Sequence, residues 1–412
     1  MPAEQIARVV VALAVAVGLA IAAAHPAVRR FEQRFGLSVL AASGFPLLIL
    51  GFGFRAFGVV TEQTLADLRP VYEFGLGWIG FAVGMQLNLR RLDELPASFT
   101  TTLVLVTVPA TLLAAVSCAL FLAGLGLLHG TGLFRDVLVL AGCAAVSAPA
   151  NLRLLLRAAP PQATQIISAI TQIDQLAAFA VLALVASMFR PQGVVLWRLP
   201  RSGWFIVMAG VGFLLGVVIY LLLRNVRSRT EEVSLVIGGI ALAAGTAGYL
   251  ALSVPVVCAL AGAVLANVPY RDRARLEATL GEFERPLYLL FLFLVGTTWR
   301  PFEWQGWALG ILFAASRAYG KFIGARAAVR LAPDDLPTAR NLTLSLLPES
   351  AVAIVVIFSL ATLDPEPLPA IAWGINAVIV GSVLTEIYVQ AMQRKEAKLV
   401  GEETGRFVTH FV

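Results

Sequence analysis

The sequence predicts an all-α, polytopic membrane protein of about 13 transmembrane helices, built as inverted six-helix repeats with two discontinuous helices. Three observations carry this. The 412 residues are 59% hydrophobic and only 14% charged, with a mean hydropathy of +0.84. No ordinary soluble domain has that balance. Apolar stretches of about 20 residues, each enough to cross roughly 30 Å of hydrocarbon, recur from end to end. Two of them, about 200 residues apart, are interrupted by proline and small polar residues: Ala145-Val146-Ser147-Ala148-Pro149-Ala150-Asn151 and Leu347-Pro348-Glu349-Ser350-Ala351.

The spans begin near Ile6, Val39, Tyr72, Phe99, Val137, Ile166, Trp204, Val233, Ala251, Pro286, Trp307, Asn341 and Pro369. The first follows a single arginine and has no small-residue cleavage site before His25, so it reads as a span rather than a signal peptide. The eighth and ninth run together around Tyr249 to Ser253, with a tight turn between them. Cys118, Cys143 and Cys258 all lie within spans, so core packing without a disulfide is expected.

Charge sets orientation. The net charge of +6 comes with a pI near 9.5, but the basic residues sit in short loops, which is a topology signal rather than a nucleic-acid footprint. Of the 31 basic residues, 21 fall in one set of loops and the tail, including Arg29, Arg90, Arg153, Arg224, Arg271, Arg326 and Arg394. Eight, among them Arg55, Arg135, Arg198 and Arg300, fall on the other side. This places the C-terminus in the cytoplasm and, with an odd span count, the N-terminus outside. An inner, cell-membrane location is expected.

The halves resemble each other. Phe81-Ala82-Val83-Gly84 in the third span is echoed by Phe293-Leu294-Val295-Gly296 in the tenth, and the proline breaks fall in the fifth and twelfth. Both pairs are offset by seven spans, and an odd offset inverts the second repeat in the membrane. Repeat one then covers about 6–189, a linker helix about 204–224 and repeat two about 233–390, within a transmembrane domain of 1–390 followed by a short cytoplasmic tail, 391–412.

Charges within spans cost about 2.5–3.5 kcal/mol each on insertion scales, so each is a functional candidate. Four stand out: Asp174 in the sixth span, Arg317 and Lys321 in the eleventh, and Glu349 at the second break. A carboxylate whose burial is balanced by a nearby cation can exchange a proton for another cation. Asp174 is either such a group or half of a structural ion pair with Lys321. Arg317 lies one turn before Lys321 on the same face, and either residue reads alternatively as snorkelling to the interface. Proline removes a backbone donor, and the irregular backbone it leaves survives in a membrane only inside protein or at a polar cavity. Glu349 there reads either as a cation or proton ligand or as a salt-bridge partner of Arg317. Ser147, Asn151 and Ser350 flank Pro149 and Pro348 and can satisfy freed backbone groups, coordinate a cation, or both. Thr171, Gln172 and Gln175 border Asp174 as further ligand candidates. Glu386, late in the last span, reads as interfacial or helix-pairing. The sequence has no metal-spaced Cys/His cluster, phosphate loop or Ser/His/Asp set, so neither an enzyme nor a cofactor is expected.

These segments resemble the monovalent cation:proton antiporter superfamily, its sodium/proton exchanger domain in particular, over roughly Val39 to Gln390. The similarity lies in Gly80-Phe81-Ala82-Val83-Gly84 running to Arg90, Val254 to Asn267 with its Ala261-Gly262, Glu284-Arg285-Pro286 running into Phe293-Leu294-Val295-Gly296, Gly320-Lys321, and Leu346-Leu347-Pro348. Their order and spacing are the specific part. The resemblance implies a solute:proton antiporter carrying a monovalent cation, sodium or potassium, against protons. It also implies a homodimer whose first three spans of each repeat form a dimerisation panel. The last three of each would form a mobile core, its two crossed discontinuous helices meeting at their unwound midpoints, that moves in an elevator-like step. Against the family pattern Asp174 takes the first of two sixth-span positions and Gln175 the second, so the position usually held by the ion-binding Asp carries an amide, which does not titrate. Either Glu349 restores the carboxylate, or Asp174 shifts one place and does the work. The same substitution leaves two alternatives open: transport of an anion or organic solute by Arg317 and Lys321, or a non-transporting sensor or scaffold.

Overall fold

Helices are what a mostly apolar chain must form in lipid, because only they satisfy every backbone group within one segment. The computed structural model bears this out. It describes residue 18 and residues 45–89, 95–126, 131–148, 160–189, 199–224, 226, 228–270, 273–363, 372–385, 387–389 and 391–392, all helix, turn or irregular, without strand. In chain order the helices are α1 (Phe45–Ala56), α2 (Glu62–Asp67), α3 (Arg69–Gln86), α4 (Ser98–Gly124), α5 (Thr131–Ala145), α6 (Pro161–Met188) and α7 (Arg201–Leu223). They continue with α8 (Arg229–Tyr249), α9 (Val254–Asn267), α10 (Arg273–Thr298), α11 (Trp304–Leu331), α12 (Ala339–Leu346), α13 (Ala351–Leu363) and α14 (Ala372–Val389). Five of the described helices are long and apolar enough to cross a membrane, or six if the bent pair α12 and α13 is one span. The span expected near Ile6, the start of the second, Glu386 and most of the tail lie outside the described residues.

Local sequence explains where the helices begin and end. Thr61 and Ser228 cap α2 and α8 through their hydroxyls, and Thr338 caps α12. The turn expected near Tyr249 to Ser253 is present, with Ala251 at a positive φ of 49° between α8 and α9. The apolar segment expected from near Pro286 runs Pro286–Thr298, and the helix that carries it, α10, begins earlier, at Arg273, with Pro286 inside it. Leu276 and Leu280, four residues apart, are buried, so this charged stretch has an apolar stripe of helical period.

The described helices pack in two groups. In one, α3 lies against α9, α1 against α10, α7 against α9, and α8 against α9 and α3. In the other, α4 lies against α11 and α5, α5 against α6, and α12 against α11. Glycine permits the closest approaches. A Cβ on Gly84 of α3 would lie 2.9 Å from Ala259 Cα of α9, and one on Gly296 of α10 would lie 2.9 Å from Leu48 Cα of α1. In the second group, a Cβ on Gly320 of α11 would lie 2.7 Å from Ala110 N, and one on Gly324 2.7 Å from Val106 Cα, both on α4. α4 itself alternates a buried stripe (Val106, Ala110, Ala114, Cys118, Leu122) with an exposed apolar one (Val104, Val108, Leu112, Val116, Leu120). That is the pattern of a helix with protein on one side and lipid on the other. The three cysteines are buried and free, as expected.

Candidate functional site

α5 ends at Ala145, and its chain continues through Val146, Ser147 and Ala148 without helical form. α12 ends at Leu346, and α13 resumes at Ala351 after a bend of 43°. The two breaks meet: Ala148 N donates to Pro348 O at 2.8 Å. Both half-helices therefore point their last carbonyls into one place. Such carbonyls have no intrahelical partner and carry the negative end of the helix dipole, so they favour cations.

α11 supplies two. Arg317 and Lys321, 1% and 0% exposed, stand one turn apart on its inner face. Arg317 Nε donates to Ala144 O at 3.1 Å, Nη1 to Leu347 O at 2.5 Å, and Nη2 to Val146 O at 2.5 Å and Pro348 O at 3.4 Å. One guanidinium thus caps both half-helices and fixes their crossing. It neither snorkels nor presents a free edge. Lys321 Nζ donates to Ala145 O at 2.8 Å, to Ser147 Oγ at 2.6 Å and to Asp174 Oδ2 at 3.3 Å. All three ammonium donors are used.

Asp174, on α6, is 1% exposed. Its Oδ2 accepts from Lys321 and from Ser147 Oγ at 3.0 Å, and its Oδ1 accepts from Thr107 Oγ1 at 2.6 Å. Gln175 is also buried and reaches Ser147 O at 3.4 Å through Nε2. Asp174, Lys321, Ser147 and Gln175, all singled out in the sequence, are therefore brought together. Thr171 is not part of the cluster's bonding: its hydroxyl donates to Ser168 O at 2.8 Å on its own helix. Ser350 Oγ accepts from Val352 N at 3.4 Å and so caps α13. Pro149 and Asn151 lie outside the described residues.

Sequence reasoning missed Thr107. A threonine in an apolar span ordinarily bonds its own helix, as Thr111 does to Thr107 O at 3.1 Å. The available signal was the Gly320/Gly324 spacing, which draws α4 onto α11 and carries Thr107 to Asp174.

Glu349 sits apart from this network. Its two carboxylate oxygens are buried, and neither has a hydrogen-bond partner. The side chain lies beside Phe313 of α11 and Gly381 of α14, where an added Cβ would come within 3.3 Å of Oε2.

Chemically, the crossing gathers carboxyl, hydroxyl and carbonyl oxygens: Asp174, Ser147, Thr107 and Ala145 O. Hard cations take such ligands. No group of three or more His, Cys, Asp or Glu residues that could hold a metal ion occurs among the described residues.

Comparison with known proteins agrees with this architecture. The chain is similar in structure to the sodium proton antiporter MjNhaP1 from Methanocaldococcus jannaschii at pH 8, with a TM-score of 0.65 and 13% sequence identity over 93% of this chain and 98% of that one. No curated protein matches the sequence. The family described as sodium/hydrogen exchanger, transmembrane, matches residues 11–393, and with nearly its whole length matched, the chain belongs to that transporter family of multi-pass membrane proteins.

Proposed function

We propose that the protein is a secondary transporter exchanging a monovalent cation, sodium or potassium, for protons. The observation that carries this is the Asp174–Lys321 pair at the crossing of two half-helices. A buried carboxylate held by an ammonium and two hydroxyls offers an incoming cation a charged site, and Lys321 is its competitor. Glu349, on the facing break, is the second buried carboxyl of the site.

Alternating access by an elevator-like step is consistent with the packing. The group holding the crossing (α4, α5, α6, α11, α12, α13) would move against the group around α3, α9, α1 and α10. Helix pairing also supports the inverted repeat of about 6–189 and 233–390. α3 meets α9 through Gly84, and α10 meets α1 through Gly296, which is the relation expected if those helices exchange places between repeats. The homodimer, the inner-membrane location, the outside N-terminus and the cytoplasmic tail from 391 belong to the same reading.

The anion alternative loses support, because Arg317 and Lys321 spend their donors on protein carbonyls, Ser147 and Asp174. The test is proton flux in proteoliposomes given sodium, potassium or lithium pulses, for wild type, Asp174→Asn and Gln175→Asp. Cation-driven flux lost in Asp174→Asn is the expected result. No wild-type flux, with flux gained in Gln175→Asp, would show that the natural substrate is something else.

A further inference from the structure

Burying a charged group without partners is costly, and breaking one out of a pair is more so. Glu349 is a buried carboxyl with no hydrogen-bond donor on either oxygen. The groups that ordinarily satisfy such a residue are committed elsewhere. The α13 cap is provided by Ser350, and Arg317 is spent on four carbonyls. Lys321 is spent on Ala145 O, Ser147 and Asp174. No hydrogen bond at the crossing therefore uses Glu349, and it meets Arg317 and Lys321 through charge alone. Space is nevertheless kept for it: α14 places Gly381 against Oε2, where any side chain would press on the carboxyl and on Phe313. The charged and titratable groups that act on it are Arg317 and Lys321 on α11 and Cys143 on α5.

We propose that Glu349 is the carboxyl that carries the exchanged proton, while Asp174 binds the cation and Lys321 stays protonated throughout. This rests on the antiport reading above and assigns its two substrates to separate residues. The charges balance. With Glu349 protonated and no cation bound, Arg317, Lys321 and Asp174 sum to +1. When a monovalent cation binds at Asp174, the O–H bond of Glu349 breaks and its proton leaves to solvent. The sum is again +1. The cluster carries the same charge in both directions, so exchange is one for one and electrically silent.

The experiment pairs infrared difference spectroscopy of purified protein with cation and proton flux in proteoliposomes, for wild type, Glu349→Gln, Glu349→Asp and Asp174→Asn. The expected result is a protonated-carboxyl band in wild type that titrates with pH and disappears on adding sodium or potassium. Glu349→Gln loses the band and loses proton-coupled exchange; Glu349→Asp keeps both, which separates a lost proton from a lost fold. Wild-type flux is unchanged by an imposed membrane potential. A titrating band that survives in Glu349→Gln, or wild-type exchange in that variant, overturns the proposal. A band that behaves as expected in a wild type that moves no cation overturns the antiport reading and upholds the proton site.

Discussion

Thr107 of α4 donates a 2.6 Å hydrogen bond to Asp174 of α6, tying the carboxylate to a helix outside the broken pair. A hydrogen bond to an ionised group contributes about 1.5–3 kcal/mol. Thr107→Val keeps the shape and removes the donor. We expect the cation concentration for half-maximal flux to rise roughly tenfold, the factor that 1.4 kcal/mol represents. Thr107→Ser should restore it. Equal values for all three proteins would show that the bond does not act on the ion site.

Lys321→Ala leaves Asp174 buried with two hydroxyl donors, its ion-pair partner gone and only the unbonded charge of Arg317 acting on it. Removing one partner of a buried pair costs about 3–5 kcal/mol. Thermal unfolding in detergent should therefore show a large loss for Lys321→Ala and a much smaller one when Asp174→Asn is added. Additive losses would mean that the 3.3 Å pair contributes no coupling.

Much of this site was legible in the sequence, because a charge inside an apolar span is conspicuous and expensive. Asp174, Lys321, Arg317 and Glu349 could all be found that way, and the two breaks announced where they would meet. What could not be read was the division of labour. Arg317 was open between snorkelling, pairing with Glu349 and binding a ligand. Its actual task, capping Ala144, Val146, Leu347 and Pro348, depends on which carbonyls the crossing frees. Thr107 was hidden because its role is set by how α4 and α11 register, a long-range property. The early start of α10 was hidden because loop-like charge masked the Leu276/Leu280 stripe.

Arg317→Lys retains the charge but loses the planar fork that reaches four carbonyls from two half-helices. Lysine has three donors on one atom and cannot span them. We expect Arg317→Lys to fold poorly, with a lower yield of monodisperse protein than Lys321→Arg. A fully stable, fully active Arg317→Lys protein would show that the crossing does not depend on this cap.

Two glycines test whether the helix groups have separate roles. Gly324 of α11 and Gly84 of α3 each hold a neighbouring helix at backbone contact. A Leu at either overfills the contact, at about 1–3 kcal/mol or more. The losses of stability should be similar, but the functional outcomes should differ. Gly324→Leu pushes α4 away from α11 and carries Thr107 off Asp174, so flux should fall beyond what the lost protein accounts for. Gly84→Leu disturbs only the α3–α9 contact, so flux per folded molecule should keep the wild-type dependence on cation concentration. The check is half-maximal cation concentration measured on protein normalised for folded content. If Gly84→Leu shifts it as far as Gly324→Leu does, the α3–α9 group also shapes the ion site, and the division into a fixed and a moving group fails.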